Sequence, residues 1–341
     1  MLKIAILGFG FAGKAHAKAY VRMPDVRLTA IGGFRNQLAQ QQWQEPYPIE
    51  FHADPDVLLN SCKVDVVDIC LPTYMHEEFV IKAAAKGLHI ICEKPFALSL
   101  ASADRMIRAI HQSGATAMIA QVLRFFPHYR TSRELVGSGR LGKVFYAYAS
   151  RLSSMPAWGA WFRDPAQSGG ALYDLHVHDL DYALTLFGVP RSVFTAGIRS
   201  QTGAWDHVVT TLMYSDKKAC IEASYRMPGG WPFTSRLRLM GTQASIEYEF
   251  RVQGNVDRLE KAQNRLMLYA AGESPEEILV QDCDPFYSEL RHFTESISGH
   301  ADTSSLEEAR NVIGVLQAAA QSLESSAPVD VMDVLAPSLR S

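Results

Sequence analysis

The chain has 341 residues, more than one hydrophobic core usually supports, so two domains are expected. Hydrophobic residues make up 48% and charged residues 20%; the net charge is −3 and no Lys/Arg-rich run stands out, which argues against a nucleic-acid or membrane-surface partner. Five scattered cysteines without a Cys-x-x-Cys pair predict a reducing, cytoplasmic compartment and argue against structural zinc.

The first 122 residues alternate short apolar runs with helical patterns. The helix-period stretches His76–Lys86 and Leu100–His111 end at Gly87 and Gly114, as helices with C-terminal glycines do. Strands that are apolar throughout and alternate with helices predict a doubly wound α/β domain with a parallel sheet. The predicted strands are Leu2–Leu7, Arg27–Ile31, Val64–Leu71, Leu88–Cys92 and Thr116–Ala120.

Residues 123–341 follow a different pattern and are predicted to form the second domain. Period-two alternation and short turns predict hairpins and a mostly antiparallel sheet. Helix-like segments are predicted at Tyr129–Val136, Ala171–Phe187, Pro285–Ser298 and Ser305–Ser325. The predicted strands are Lys143–Arg151, Val193–Ser200, His207–Tyr214, Lys218–Arg226, Arg236–Met240, Ala244–Phe250 and Arg265–Ala271.

A glycine motif directly follows the first predicted strand and opens a helical stretch. In such a turn the first glycine permits the tight bend, the second lets the backbone approach a pyrophosphate, and the third allows close helix–strand packing. The strand–turn–helix context predicts a dinucleotide site rather than a turn without a ligand. The motif residues are Gly8, Phe9, Gly10, Phe11, Ala12 and Gly13.

The end of the second strand lacks the carboxylate that would bind the ribose 2′-hydroxyl of NAD. The sequence there reads Gly32-Gly33-Phe34-Arg35-Asn36. Small residues leave room, and Arg35 could pair with a 2′-phosphate, which favours NADP over NAD. Alternatively, Arg35 is a solvated residue that opens the next helix, or belongs to an NAD enzyme without the acid.

Glu93-Lys94-Pro95 ends the fourth predicted strand, at the sheet edge where ligands bind in such folds. Lys94 is therefore predicted to face the cofactor, and a cis bond before Pro95 would aim its amine. A strand-end lysine considered alone is more often a solvated surface charge.

A second polar cluster runs from Asp174 to Asp181 and contains His176 and His178. On one continuous helix Asp174 and His178 share a face, as a carboxylate orienting an imidazole requires, and such a dyad can take a hydroxyl proton near neutral pH. Helical spacing separates His176 from His178, so no metal site is predicted here.

These motifs together resemble the glucose–fructose oxidoreductase, inositol dehydrogenase and rhizopine-catabolism (Gfo/Idh/MocA) family, over nearly the whole chain. The resemblance rests on the glycine motif, Glu93-Lys94-Pro95, and Asp174 with His178. It also includes Leu71-Pro72-Thr73 with His76, Arg124-Phe125, Gly139–Gly142 and Ser168–Ala171.

The resemblance implies an N-terminal Rossmann domain and a C-terminal α+β domain with a large open sheet through which subunits pair as a homodimer or homotetramer. Lys94 would stabilise the reacting oxygen, His178 would be the general acid/base, and Asp174 its orienting partner. The expected reaction is hydride transfer between NAD(P) and a secondary hydroxyl or carbonyl of a sugar, sugar derivative or cyclic polyol. The cofactor-binding candidates beyond the glycine motif are Gly33, Arg35, Leu71, Pro72, Thr73, His76, Glu93, Lys94 and Gln121.

Some substrate-side residues depart from the inositol-specific members, since Ser150-Arg151-Leu152 replaces their His-x-Asn pair. Myo-inositol is therefore in doubt as substrate. Two tryptophans in the loop at 153–163 could stack on a sugar ring or pack internally. A glycoside hydrolase with an internal NAD redox cycle and a non-catalytic dinucleotide sensor stay open as alternatives. The substrate-binding candidates are Lys94, Pro95, Arg124, Arg151, Trp158, Trp161, Asp174, His178 and Tyr225.

Overall fold

The structure, a computed structural model, describes residues 1–33, 48–156, 159–252, 262–300 and 306–336. The chain divides into two compact units. The first unit combines residues 1–122 with 284–310, and the second combines 123–283 with 311–341.

The strands of both units are numbered in chain order. They are β1 Leu2–Leu7, β2 Val26–Gly32, β3 Glu50–His52, β4 Val66–Ile69, β5 His89–Glu93, β6 Ala117–Ala120, β7 Val144–Leu152, β8 Ser192–Arg199, β9 Trp205–Met213, β10 Lys218–Ser224, β11 Phe233–Gly241, β12 Ala244–Val252, β13 Gln263–Ala270, β14 Glu276–Glu277 and β15 Val329–Asp330.

The α-helices are numbered in the same way. They are α1 Phe11–Tyr20, α2 Pro55–Ser61, α3 His76–Ala85, α4 Leu100–Ser113, α5 Pro127–Gly137, α6 Pro165–Ser168, α7 Gly170–Asp174, α8 His176–Phe187, α9 Pro285–Ile297, α10 Leu306–Ser325 and α11 Val331–Leu335. Short 3₁₀ turns cover Thr73–Met75, Val122–Phe125 and Ala160–Arg163. Within the described ranges, no helix is long and apolar enough to cross a membrane.

The sheet of the first unit has the strand order β3-β2-β1-β4-β5-β6, and every pair in it is parallel. The order reverses at β1, which lies between β2 and β4, and ligands of open α/β sheets bind at such a switch point, beyond the strands' carboxyl ends. β4 and most of β1 and β5 are buried, as strands covered on both faces must be. The predicted doubly wound sheet is confirmed, although the short edge strand β3 was not predicted.

The helix α9 belongs to the first unit, whereas all residues after 122 were predicted to form the second domain. Leu290 and Phe293 of this helix are fully buried in the core of the first unit, together with Tyr20 of α1. Asp284 caps the helix by accepting hydrogen bonds from the backbone N–H groups of Phe286 and Tyr287. An amphipathic helix packs wherever its apolar stripe finds a partner, and its place in the chain does not decide which unit that is.

The sheet of the second unit has the order β14-β13-β12-β11-β7-β10-β9-β8-β15. All of its pairs are antiparallel except β7 with β10, which confirms the predicted mostly antiparallel sheet. One face of β12 carries the buried residues Ile246, Tyr248 and Phe250, as the alternation predicted. The helix α8 packs against β7 and β10, and thus covers one face of the sheet.

Candidate active site

The glycine turn after β1 is shaped partly by the protein's own packing. Gly8 has a φ of +98°, and a Cβ there would lie 2.4 Å from the Cys70 carbonyl oxygen. A Cβ on Gly13 would lie 2.1 Å from the Gly8 carbonyl oxygen. Both glycines are therefore required for the turn and the first helix to form at all.

Gly10 differs from the other two glycines of the turn, because a Cβ there would meet no atom of the described residues within 4 Å. It is the N-cap of α1, no side chain caps it, and the first turn of the helix has no acidic residue. The N–H groups at this helix start suit a phosphate, and the missing Cβ leaves room for it. The turn thus fits the pyrophosphate of a dinucleotide.

Exchanging these glycines for alanine separates packing from ligand binding. We expect Gly10→Ala to keep the melting temperature of the wild type but to weaken cofactor binding, because its methyl group occupies the phosphate side. Gly13→Ala should instead lower the melting temperature, because its methyl group overlaps the Gly8 carbonyl. Thermal melts and titration of tryptophan fluorescence with NAD(P)H measure both; unchanged cofactor affinity in Gly10→Ala would remove this turn from the binding site.

The ribose end of the predicted site is only partly described. Gly33 has a φ of +78°, and a Cβ there would lie 3.5 Å from the Gly8 nitrogen, so the end of β2 lies against the glycine turn. Arg35, the predicted 2′-phosphate partner, lies outside the described residues. The prediction of NADP over NAD stays a prediction.

The loop after β4 is tied to the loop after β5 by His76. This side chain is buried, and its two ring nitrogens lie 2.8 Å from the Leu71 carbonyl oxygen and 3.0 Å from the Pro95 carbonyl oxygen. Burial lowers the pKa of His76, and the two carbonyls oppose that shift. The predicted cofactor-side residues Pro72 and Thr73 lie in the loop that His76 fastens, and the Lys94–Pro95 peptide bond is cis.

Gln121 follows β6 and is 4% exposed. Among the described residues, its side-chain oxygen has no hydrogen-bond partner. A buried amide oxygen without a partner is costly, so its presence at the carboxyl end of β6 fits a ligand that donates to it. Its predicted place on the cofactor side remains a prediction that this observation supports.

Lys94 stands at the end of a chain of buried charges that runs through the first unit, which we call the Asp68–Lys94 chain (Asp68, His16, Glu93, Lys94). The His16 Nδ1 lies 2.8 Å from the Asp68 carboxylate, and its Nε2 lies 3.4 Å from the Glu93 carboxylate. The Glu93 carboxylate accepts a hydrogen bond of 3.0 Å from the Lys94 backbone N–H. His16 and Asp68 have no exposed surface.

The charges in this chain alternate. Burial, the largest single influence, lowers the pKa of His16, but the Asp68 carboxylate and Cys70 together outweigh it and hold that pKa well above the ordinary value. Burial raises the pKa of Glu93, but the hydrogen bond and charge of His16, with Lys94, bring that pKa below its ordinary value. A charged imidazole thus lies between two carboxylates, the second of which holds the backbone of Lys94.

The sequence analysis missed His16 and Asp68. A signal for both was present: Asp68 is a carboxylate within the otherwise apolar strand Val66–Ile69, and His16 lies three residues after the last glycine of the turn. A buried charge is tolerated only when it is paired, so a charged residue in a central strand predicts a partner.

The predicted dyad of the second unit does not lie on one regular helix. The helix α7 ends at Asp174, Leu175 intervenes, and α8 begins at His176. The Leu175 N–H donates to the Ala171 carbonyl, while the His178 N–H reaches back only to the Leu175 carbonyl, at 3.4 Å. The predicted helical segment Ala171–Phe187 is thus present but interrupted at Leu175, so the four-residue spacing alone does not place Asp174 beside His178.

The Asp174 carboxylate accepts a hydrogen bond from the hydroxyl of Tyr225, which follows β10 and is buried. The structure thus gives Tyr225, predicted as a substrate-side residue, a contact that orients Asp174. His176 is fully buried and bonds to the Thr210 hydroxyl at 2.8 Å, and burial lowers its pKa to about 3. It is a neutral core histidine.

Two predicted substrate-binding arginines are held by buried aspartates of α8. Arg124 makes two hydrogen bonds of 2.8 and 2.6 Å to Asp181, and Arg151 makes two of 3.0 and 3.1 Å to Asp179. Both carboxylates are fully buried, and Arg151 is 6% exposed. These guanidinium groups neutralise buried charges, and their contact with a substrate stays a prediction.

One tryptophan of the predicted sugar platform is described. Trp161 lies in the short turn at Ala160–Arg163, half-buried, and its ring stacks on Phe162 with centroids 4.0 Å apart. Trp158 lies outside the described residues. A side chain that already has an aromatic partner favours the packing interpretation of Trp161.

Each of the two units contains a segment that matches a known protein-family model. Residues 2–121 match the model of an oxidoreductase family with an NAD-binding Rossmann fold, designated GFO_IDH_MocA, and residues 129–247 match the C-terminal domain model of the same family. The two matches together cover most of the chain. The protein belongs to the Gfo/Idh/MocA family.

Similar proteins in this family include two curated enzymes. A 2,7-anhydro-N-acetylneuraminate hydratase of Mediterraneibacter gnavus is 27% identical over 80% of this chain and 74% of its own length. A myo-inositol 2-dehydrogenase of Thermotoga maritima is 26% identical over 98% of this chain and all of its own length. The solved aldose–aldose oxidoreductase of Caulobacter crescentus superposes with a TM-score of 0.82, at 23% identity, over 96% of this chain and 99% of that one.

Family membership makes the protein an oxidoreductase with a nicotinamide cofactor. The glycine turn lies within residues 2–121, the part of the chain that matches the NAD-binding Rossmann model. The Asp68–Lys94 chain starts on strand β4, passes through His16 on the first helix, and ends at the lysine expected to meet the reacting group.

Proposed function

We propose that the protein transfers a hydride between its nicotinamide cofactor and a carbon carrying a secondary hydroxyl or carbonyl in a sugar, sugar derivative or cyclic polyol. The observation that carries this proposal is Lys94 at the carboxyl end of β5, its backbone held by the buried Glu93 and His16 pair. The relatives' names add support, since one acts on an inositol and the other on an anhydro sugar acid.

Each protein group has a separate task in this reaction. A nicotinamide ring bound by the first unit would supply the redox chemistry, as the acceptor or donor of the hydride. The Lys94 amine donates a hydrogen bond to the reacting oxygen and stabilises the negative charge that develops on it. His178 takes or returns the hydroxyl proton, and Asp174, oriented by the Tyr225 hydroxyl, keeps the imidazole in the required tautomer.

A second candidate function is a reaction in which the cofactor is reduced and reoxidised within one turnover, as in an NAD-dependent glycoside hydrolase. The name of the neuraminate-related hydratase supports it, because hydration involves no net change of oxidation state. The two candidates share the same protein groups, and differ only in whether reduced cofactor leaves the enzyme.

The experiment is a screen of sugars, polyols and glycosides with NAD⁺ and NADP⁺, following nicotinamide absorbance and products by chromatography together. Net formation of reduced cofactor supports the dehydrogenase, and product without it supports the second candidate. His178→Asn should abolish turnover, while His111→Asn, an exposed histidine on α4, serves as the matched control. Normal turnover by His178→Asn would contradict the assigned proton transfer.

The proposed cofactor is NADP rather than NAD, from the sequence at 32–36. Arg35→Ala should weaken NADPH binding by about tenfold to a hundredfold, the value of one or two charge-assisted hydrogen bonds, and leave NADH binding unchanged. Fluorescence titration of both variants with both cofactors measures this. Tighter binding of NADH than NADPH by the wild type would instead identify an NAD enzyme.

The proposed assembly is a homodimer or homotetramer formed through the open face of the second sheet. Phe194 and Ile198 of β8 are 39% and 53% exposed, an unusual amount of apolar surface for a strand. On the same face β11 and β12 carry the ion pairs Arg236–Glu249 and Arg238–Glu247, a polar surround for such a contact. Light scattering of the purified protein measures the mass of the assembly, and the mass of a single chain would contradict the proposed homodimer or homotetramer.

A further inference from the structure

Three side chains of different chemistry meet at the edge of the first unit's sheet. Glu50 and His52 are two residues apart on the edge strand β3, so they point to the same side. Cys62 ends the helix α2 that follows. We call these three residues the edge cluster.

The donor atoms of the edge cluster form a nearly equilateral triangle. The Cys62 sulfur lies 3.5 Å from His52 Nε2 and 3.6 Å from Glu50 Oε2, and these last two atoms lie 3.5 Å apart. A point equidistant from three such atoms lies about 2.0 Å from each, and a small displacement towards solvent lengthens these distances to about 2.1–2.3 Å. These are the bond lengths of Zn²⁺ to nitrogen, oxygen and sulfur ligands.

A second cluster of three potential metal ligands in the same unit does not have the spacing of the edge cluster. His16, Asp68 and Cys70 also gather three potential ligands, but there the imidazole nitrogen lies only 2.8 Å from the carboxylate oxygen. That is a direct hydrogen bond, shorter than the edge of a zinc tetrahedron, which is about 3.3–3.8 Å. The buried group is therefore an ion pair, and the edge cluster has the metal spacing.

We propose that Glu50, His52 and Cys62 bind one divalent transition-metal ion, Zn²⁺ in the first place, with water as the fourth ligand. Imidazole, thiolate and carboxylate are the three side-chain ligands of zinc, whereas a thiolate argues against Mg²⁺ and Ca²⁺. The Glu50 side chain is 73% exposed and His52 is 20% exposed, so the ion can enter from solvent.

The bound ion would join the edge strand to the helix beside it. β3 has three residues, and among the described strands it pairs only with β2, His52 lying opposite Gly32. Short edge strands gain little from their own hydrogen bonds, so a metal link from β3 to the end of α2 would stabilise both. This inference is independent of the proposed reaction, because none of the three residues belongs to its machinery.

The experiment uses metal-free, reduced protein of full length and titrates it with Co²⁺, whose thiolate complex absorbs in the near ultraviolet. We expect one Co²⁺ per chain, displaced by Zn²⁺. Cys62→Ser should abolish the thiolate band, and His52→Gln and Glu50→Gln should each weaken binding about tenfold or more. Cys283→Ser, which removes a partly exposed cysteine of the other unit, should bind as the wild type does.

Thermal melts give a second measure of metal binding. Each variant is compared with itself, with and without Zn²⁺, so differences in stability between variants do not matter. Zn²⁺ should raise the melting temperature of the wild type and of Cys283→Ser, but leave that of Cys62→Ser unchanged. Affinity should also rise with pH, because a cysteine thiol must lose its proton to bind the ion. Absence of the thiolate band in the wild type, or its survival in Cys62→Ser, would overturn the proposal.

Discussion

Replacement of Lys94 by methionine is expected to lower kcat by about a hundredfold to a thousandfold, the cost of removing one donor to a developing oxyanion. Methionine keeps the length of the side chain but cannot donate a hydrogen bond. The backbone of residue 94 still donates to the Glu93 carboxylate, so cofactor binding should change little. Steady-state kinetics with the substrate found in the screen, with fluorescence titration of the cofactor, measures both quantities.

Lys86→Met is the matched control, because Lys86 is an exposed lysine at the end of α3 in the same unit. It should keep the kcat and KM of the wild type. A Lys94→Met enzyme with normal kcat and weakened cofactor binding would make Lys94 a cofactor anchor instead of a catalytic residue.

Breaking the buried charge chain should have the largest effect on stability. We expect Asp68→Asn to lower the free energy of unfolding by about 3–5 kcal/mol, because it leaves the imidazolium of His16 buried without its closest carboxylate. The double variant Asp68→Asn/His16→Gln should lose less than the sum of the two single variants, since each single change already breaks their pair. Urea titrations followed by circular dichroism give these values; strict additivity would show that the two residues do not act together.

The pH dependence of this stability has a definite sign. The pKa of His16 is raised in the folded state, so its contribution is complete below about pH 6.5, the unfolded value, and is lost as pH rises through the folded pKa. The pKa of Glu93 is lowered, so its contribution is present above about pH 4.5 and is lost as pH falls through its folded pKa. The Asp68–Lys94 chain therefore stabilises the protein most between roughly pH 4.5 and 6.5.

Asp68→Asn should reverse the alkaline part of this profile. Without the carboxylate, burial is the main influence on His16 and lowers its pKa, so the variant should gain stability as pH rises from 6 to 8, where the wild type loses it. Parallel slopes of the two proteins over this range would contradict the assigned ionic pair.

Local sequence signals succeeded where structure depends on neighbouring residues. The glycine turn was predicted with its strand and helix, since a tight turn needs glycine at particular positions. The sheet alternation around Ile246, Tyr248 and Phe250 was predicted in the same way, because a strand with one buried face must alternate. These signals do not reveal an interruption such as the one at Leu175, where the periodicity of the sequence continues but the regular helical hydrogen bonding changes between α7 and α8.

By itself, the sequence determined the two kinds of sheet, the dinucleotide turn and the lysine at the end of β5, because each follows from periodicity or turn chemistry within a short stretch. Only the tertiary structure decided which distant polar groups meet. Arg151 pairs with Asp179, His16 pairs with Asp68, and the Cys62 thiol contacts His52 of β3. It also decided that α9 completes the first unit. Burial makes an unpaired charge costly, so partners are selected by which elements become neighbours, and spacing along the chain carries no record of that choice.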